Sequence, residues 1–198
     1  LIMKLHKEPL KELDPRVVAR DMTYWNGLGN ELLSNPFFCR DIVARKSFSK
    51  LRSSLGGLYG WRGKKREAER ALRQALEFYP ASGEARSRLI DFYAIENRFE
   101  DAMRIGQEWL ECDPFNPAPR EVMETLMNAQ ALAAKESEFA ALYDANKTDP
   151  NFIFQYANVL RDRGKLAEAD QMIDGLLERP PFDSNWWQEA IKRYAEAN

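Results

Sequence analysis

Two cysteines and one histidine are all that this chain of 198 residues has of the side chains that most often bind metals or shuttle protons. With His6 alone, the acid–base and metal schemes that draw on several imidazoles have nothing to build from. Cys39 and Cys112 cannot make a disulfide framework or a zinc site. Each lies among apolar neighbours and is expected to fill core; one bridge between them would leave the redox compartment open. Ten scattered glycines exclude collagen. No apolar run reaches the ~18–20 residues that a membrane crossing needs. The opening Leu1-Ile2-Met3-Lys4-Leu5 is too short for a signal peptide, and charged residues come too soon after it. It reads as a segment cut from a longer protein.

What remains is enough for a core. The composition is 44% hydrophobic and 12% aromatic, which excludes disorder and leaves length for one or two domains. Charge is unevenly spread: residues 1–80 carry 16 basic and 9 acidic side chains, residues 81–198 carry 13 and 22. The densest basic stretch is 40–73, with Arg40, Arg45, Lys46, Lys50, Arg52, Arg62, Lys64, Lys65, Arg66, Arg70 and Arg73. It could face phosphate, from lipid headgroups or nucleic acid. The favoured reading is a solvated surface whose cations pair with acids along or between helices. Phe48, Tyr59 and Trp61 lie in it at a helical spacing that suits core better than base stacking.

The chain repeats itself. Pro80 and Pro114 stand 34 residues apart, and the segments before them coincide. The first reads Leu55-Gly56-x-x-Tyr59, then Gly63, Ala68, Leu72, Ala75 and Pro80. The second reads Leu89-Ile90-x-x-Tyr93, then Asn97, Ala102, Gly106, Trp109 and Pro114. A third runs Tyr156-Ala157-x-x-Leu160, Gly164, Ala169, Ile173, Leu176 and Pro181. Each step has a physical reason. The large residue and Tyr lie one turn apart on one helix face. Gly63, Asn97 and Gly164 fall where the helix must stop, and Gly or Asn accepts the left-handed cap at little cost. Ala68, Ala102 and Ala169 sit where two helices approach closely, and a larger side chain there would cost ~1–3 kcal/mol of overpacking. The closing proline cannot continue the helix.

This pattern resembles the tetratricopeptide repeat, whose 34-residue unit carries that order of small and large residues. The resemblance implies an all-α, right-handed α-α superhelix of antiparallel helix pairs. Units are expected at 49–82, 83–116, 117–149 and 150–182. The third is degenerate: Pro117 and Pro119 open a helix to about Gln130, 136–146 supplies its partner, and 131–134 stand in for the missing turn. Residues 183–198, with Trp186, Trp187, Ile191 and Tyr194, are expected to form a capping helix. At the other end, Asp14-Pro15 and Asn35-Pro36 are helix starts. They predict one helix to Leu33 and another over 37–47, so that 14–48 packs on the repeats and Ser49–Trp61 opens the first unit. Residues 1–13 read as extended, a remnant of a domain upstream.

No catalytic constellation emerges, and neither a cofactor nor a metal is expected. Gly56-Gly57-x-x-Gly60 lies inside a helix and is read as helix–helix packing, not as a phosphate loop. Carboxylate pairs such as Glu67/Glu69 and Glu100/Asp101 fall on solvated faces. The functional surface of such a solenoid is the concave face lined by the first helix of each unit. By spacing its candidates are Lys50, Ser53 and Gly57; Glu84, Ser87, Asp91 and Ala94; and Phe154, Asn158 and Arg161. A terminal-carboxylate clamp of Lys, Arg and Asn, found in some tetratricopeptide proteins, is not matched: Ser53, Gly57, Ser87 and Asp91 stand there. A face that binds a protein or peptide and a face that is a mere spacer both remain open.

Three further segments carry a second resemblance: Leu1–Leu5, Asp14-Pro15-Arg16-Val17-Val18-Ala19-Arg20-Asp21, and Arg40-Asp41-Ile42-Val43-Ala44-Arg45-Lys46-Ser47-Phe48-Ser49-Lys50-Leu51-Arg52. They are similar to the C-terminal tail of bacterial integral-membrane glycosyltransferases of the protein O-mannosyltransferase type, where tetratricopeptide repeats follow the membrane portion. The likeness covers residues 1 to about 120. It implies that any catalytic carboxylates and lipid-sugar site lie upstream, and that this chain is a membrane-tethered module, on the extracytoplasmic side by preference. It would also give Arg40, Arg45, Lys46, Arg62, Lys64, Lys65 and Arg66 a reason, nearness to anionic headgroups. The alternatives are a free-standing peptide-binding adaptor or cochaperone and, less favoured, a nucleic-acid binder working through 40–73.

Overall fold

The computed structural model describes residues 13–178 and residue 192. Among them lie nine α-helices and no strand: α1 (Pro15–Ser34), α2 (Pro36–Arg40), α3 (Ile42–Trp61), α4 (Lys65–Phe78), α5 (Gly83–Ile95), α6 (Phe99–Cys112), α7 (Ala118–Asn146), α8 (Pro150–Asp162) and α9 (Leu166–Leu177). Consecutive helices pack as pairs, α3 with α4, α5 with α6 and α8 with α9. The fold is the tetratricopeptide-like all-α arrangement that the sequence predicts. The chain divides into two compact units, Leu1–Asn128 and Ala129–Asn198.

Helix starts are written in short polar side chains. Asp14, Asn35, Asp41, Ser82 and Asp149 each accept a hydrogen bond from the first-turn amides of α1, α2, α3, α5 and α8. Proline occupies the first turn of α1, α2 and α8, where a missing N–H costs nothing. Within the pairs, the turn is the same three times. Gly63, Asn97 and Gly164 have φ of 69°, 56° and 76°, and no other described residue has positive φ. The next amides, of Lys64, Arg98 and Lys165, reach back to the carbonyls of Tyr59, Tyr93 and Leu160 at 2.9, 2.8 and 2.8 Å. This is the Schellman closure, which satisfies carbonyls that the helix end would otherwise strand.

Small residues let the pairs close. Ala68, Ala102 and Ala169 are all but fully buried. A Cβ added to Gly56 would fall 2.7 Å from Leu72 Cγ, so α3 meets α4 there with no room for a side chain.

In the first unit, α1 runs antiparallel to α3. Asp21, early in α1, accepts a hydrogen bond from Tyr59 late in α3. Trp25, further along, meets Phe48. One cluster joins Val18, Tyr59, Ala68 and Ala71; a second joins Trp25, Phe38 and Phe78, with Phe48 edge-on to all three. Burial of each of the large apolar side chains is worth about 1.5–3 kcal/mol. In the second unit, Ile153, Tyr156, Ala157, Leu160, Ala169, Ile173 and Leu176 make the core, and Phe139 stacks on Tyr156 at 5.7 Å.

Four expectations need correction. There is no helix over 37–47: α2 stops at Arg40, Asp41 caps a new helix, and α3 begins at Ile42 rather than Ser49. No turn interrupts Ala118–Asn146, because 131–134 are strong helix formers with no glycine or cap to stop them, and α7 runs through. Cys39 and Cys112 are exposed and free. Both stand near helix ends, Cys39 in the short α2 and Cys112 closing α6, where side chains leave the packed face. Trp61 closes α3 and is 71% exposed, with the Arg62 guanidinium against its ring at 4.0 Å. Residues 1–12, the end of the last expected unit with Pro181, and the capping segment 183–198 apart from residue 192 lie outside the described residues.

Candidate functional site

Repeat geometry places equivalent residues of α3 and α5 side by side, 34 apart. The rows are Lys50 and Glu84, Ser53 and Ser87, Ser54 and Arg88, Gly57 and Asp91, Trp61 and Ile95. Lys50, Glu84 and Asp91 are exposed; Gly57, Ser87 and Ala94 are half-buried. Ser53 is not on this face: it is 1% exposed and turned inward. Ser54, one residue on, takes the outward place. The neighbours lie close, for a Cβ on Gly57 would fall 2.8 Å from the Arg88 guanidinium. Arg88 also pairs with Glu84 at 3.1 Å. Although Asp91 reaches solvent, partial desolvation by the packed helices raises its carboxyl above its ordinary value, against the pull of Arg88.

Sequence spacing missed the apolar part of this face. Trp61 and Ile95 hold equivalent positions and are 71% and 78% exposed. The 34-residue offset between two large apolar residues was the available signal. Phe154, Asn158 and Arg161 belong to α8 in the second unit. Asn158 is exposed, whereas Phe154 packs against the core of that unit and Arg161 is half-buried.

The basic stretch does not assemble into one patch. Arg45 donates from Nε to the Phe78 carbonyl at 2.8 Å and from a terminal nitrogen to the Cys39 carbonyl at 3.4 Å, closing the C-terminus of α4. Lys46 lies over the Tyr79 ring. Lys65 pairs with Glu96 at 2.6 Å, Arg70 with Glu77 at 2.6 Å and Arg73 with Glu69 at 2.9 Å. Arg40, Lys50 and Arg66 are exposed, and Lys64 is half-buried at the start of α4. Arg40 and Lys46 sit near one end of α3 and Arg62 to Arg66 beyond the other, roughly 25–30 Å apart at the rise of a 20-residue helix, with Lys50 near its middle.

Arg52, also in that stretch, is fully buried under α1. Its Nε donates to Gln74 Oε1 at 2.7 Å, its guanidinium lies over the Trp25 ring at 5.0 Å, and Asp21 stands 3.5 Å away. Burial pulls the Arg52 guanidinium below its ordinary range, with Asp21 opposing. Burial and the bond to Asp21 hold the Tyr59 hydroxyl well above its usual range. This network fastens α1 to the first pair and opens no route for a ligand.

Two further ion clusters recur with the repeat. Glu69 is pushed up by burial but more than pulled back by hydrogen bonds from Arg98 and Tyr93, so it stays below the usual carboxylate range. Glu136 in the second unit is lowered in the same way by Lys165 and Arg163, at 2.6 and 2.8 Å. Arg98 and Lys165 both follow the left-handed residue, and each reaches an acid 29 residues earlier. These carboxylates are engaged in holding helices together. Among the described residues no group of His, Cys, Asp and Glu could hold a metal ion, and no helix is long and apolar enough to cross a membrane.

No protein family matches the chain, and no curated protein matches it. A solved structure described as the functional characterisation of Pseudomonas aeruginosa PilF aligns with it at 18% identity. That alignment covers 71% of this chain and 80% of the other, with a TM-score of 0.25. The repeat assignment rests on the turns and pairs of this chain itself.

Proposed function

We propose that the chain is a non-catalytic interaction module whose α3–α5 face binds a segment of another protein. The observation that carries this reading is the equivalent pair Trp61 and Ile95. Each is largely uncovered, and they flank a row where Lys50, Glu84, Arg88 and Asp91 offer both signs of charge. Exposed aromatic and aliphatic anchors rimmed by polar groups are the usual make-up of a binding surface. Photo-crosslinkers placed at Ser54 and at Ile95 should capture the same partner, and one placed at Glu108 on α6 should not. Equal capture from all three positions would remove the reading. Charge reversal, Asp91→Arg with Arg88→Glu, should weaken capture about tenfold.

In this proposal the module is the C-terminal part of a bacterial membrane glycosyltransferase-like protein and positions a partner or an acceptor chain near that enzyme. Support comes from the likeness of the segments quoted above, over residues 1 to about 120. Reading the full gene tests it: upstream apolar spans are expected, and their absence would favour a free-standing adaptor.

A further inference from the structure

Arg52 and Arg86 hold the same place in successive helix pairs, each eleven residues before the left-handed turn residue, Gly63 or Asn97. Both side chains are withdrawn from water, the residues being 0% and 7% exposed. Arg52 has the company that a buried cation needs, the Gln74 amide oxygen at 2.7 Å and the Asp21 carboxylate at 3.5 Å. Arg86 has neither. Its one side-chain hydrogen bond runs from a terminal nitrogen to the Cys112 sulfur at 3.3 Å, and no acid among the described residues pairs with it.

The neighbouring stations show how the two pairs differ. Glu108 stands where the first pair has Gln74, eleven residues past the turn, but it is exposed and makes no ion pair among the described residues. Cys112 stands where the first pair has Phe78, fifteen residues past the turn. Phe78 is fully buried, whereas the smaller Cys112 is exposed. The second pair therefore sets a buried cation without a counter-ion beside a thiol that solvent reaches. A buried charge left uncompensated is strongly destabilising, so the site is short of an anion.

The direction of each thiol's hydrogen bond says which cysteine could supply one. Cys112 Sγ accepts from a cation, while Cys39 Sγ donates to the Leu33 carbonyl at 3.3 Å. Oxidation adds anionic oxygens to a cysteine sulfur. At Cys112 those oxygens would meet guanidinium donors in a charge-assisted bond. At Cys39 they would meet a carbonyl oxygen, acceptor against acceptor. Glu108, Glu111, Asp113 and the carbonyl end of α6 oppose an anion at Cys112. All three acids are exposed, so water and salt weaken their effect, whereas Arg86 touches the sulfur.

We infer that Cys112 is a peroxide-oxidation site, and that its sulfinate becomes the counter-ion of Arg86 and ties the end of α6 to α5. The sulfur attacks the O–O bond of hydrogen peroxide, keeps one oxygen and releases the other as water. A second peroxide repeats the step, so that R–SH and two H2O2 give R–SO2−, two H2O and one proton. Sulfur loses four electrons, and each peroxide gains two. This inference is independent of what the α3–α5 face binds.

The test exposes the full chain to millimolar hydrogen peroxide and follows both cysteines by peptide mass spectrometry. Cys112 should reach sulfinate at least tenfold faster than Cys39, and Arg86→Met should erase that lead. Equal rates in the parent chain, a lead that survives Arg86→Met, or an interchain disulfide in place of the sulfinate each overturn the inference. Urea unfolding probes the counter-ion without an oxidant. Cys112→Asp puts a carboxylate where the sulfinate would lie, and should lower the unfolding constant about tenfold relative to Cys112→Ser. That gain should vanish in an Arg86→Met background. A Cys112→Asp chain no more stable than Cys112→Ser overturns the inference. So does a Glu108→Gln loss as large as that of Arg86→Met, which would make Glu108 the true partner.

Discussion

The first unit and the second solve one problem with different interiors. Around α5–α6 and around α8–α9, the chain uses the same left-handed turn, the same closure onto a helix carbonyl, a buried alanine early in the second helix, and a cation reaching an acid 29 residues back. Beneath these shared fittings, the first unit buries an arginine with its hydrogen-bonding partners, and the second stacks the half-buried Phe139 on the buried Tyr156. What recurs is whatever the backbone demands. What fills the space between helices is free to differ, provided volume and polar pairing are satisfied.

The largest expected effect breaks the difference in interiors. Arg52→Ala strips the partner from Asp21 and Gln74 under α1 and should cost about 3–5 kcal/mol. Tyr156→Ala should cost about as much, by leaving a cavity. Arg52 and Tyr156 lie in different compact units, so each loss should appear in only one of two unfolding transitions. Hydrogen exchange of α3 and of α8 amides checks this.

The shared turn is a smaller lever. Gly63→Ala and Gly164→Ala should each lose about 1–2 kcal/mol in denaturant titrations, since alanine resists the left-handed backbone. Asn97→Gly should stay within about 0.5 kcal/mol of the parent. A large loss at Asn97→Gly would mean that the asparagine side chain, not its backbone, sets that turn.

Smaller again is the pH response of the paired acids. Glu69 and Glu136 are held below the ordinary range when folded. Their contribution is therefore present above the unfolded value of about 4.3 and disappears as pH falls through the lowered folded values. Denaturation midpoints should drop in that acid window, and Glu69→Gln with Glu136→Gln should flatten the drop. The smallest effect is expected from Arg66→Glu on heparin retention, which should hardly change, because the basic stretch is divided between the ends of α3.

Much of the fold could be read in advance. Asp14-Pro15, Asn35-Pro36 and the Gly63, Asn97 and Gly164 turns act within a few residues, so their signals are local and strong. The break at Asp41 was legible too, as an acid before an apolar run, but the 37–47 periodicity masked it. The merger of 117–149 into α7 was hidden by the expectation of a repeat, although four residues of high helix propensity announced it.

The candidate face was read less well, and Ser53 and Trp61 show why. Both lie on α3, one buried and one exposed, against expectation for each. α3 is covered by α4, α1 and α5 on successive sides, so its sequence carries no clean apolar stripe to say where solvent begins. Sequence by itself determined where helices start, where they turn and which residues must be small, because each depends on backbone torsion or a cap a few residues away. Only the tertiary structure decided which arc of α3 stays open, that an arginine lies under α1, and which cations are already paired. Those outcomes come from side chains distant in sequence competing for the same space and the same charges.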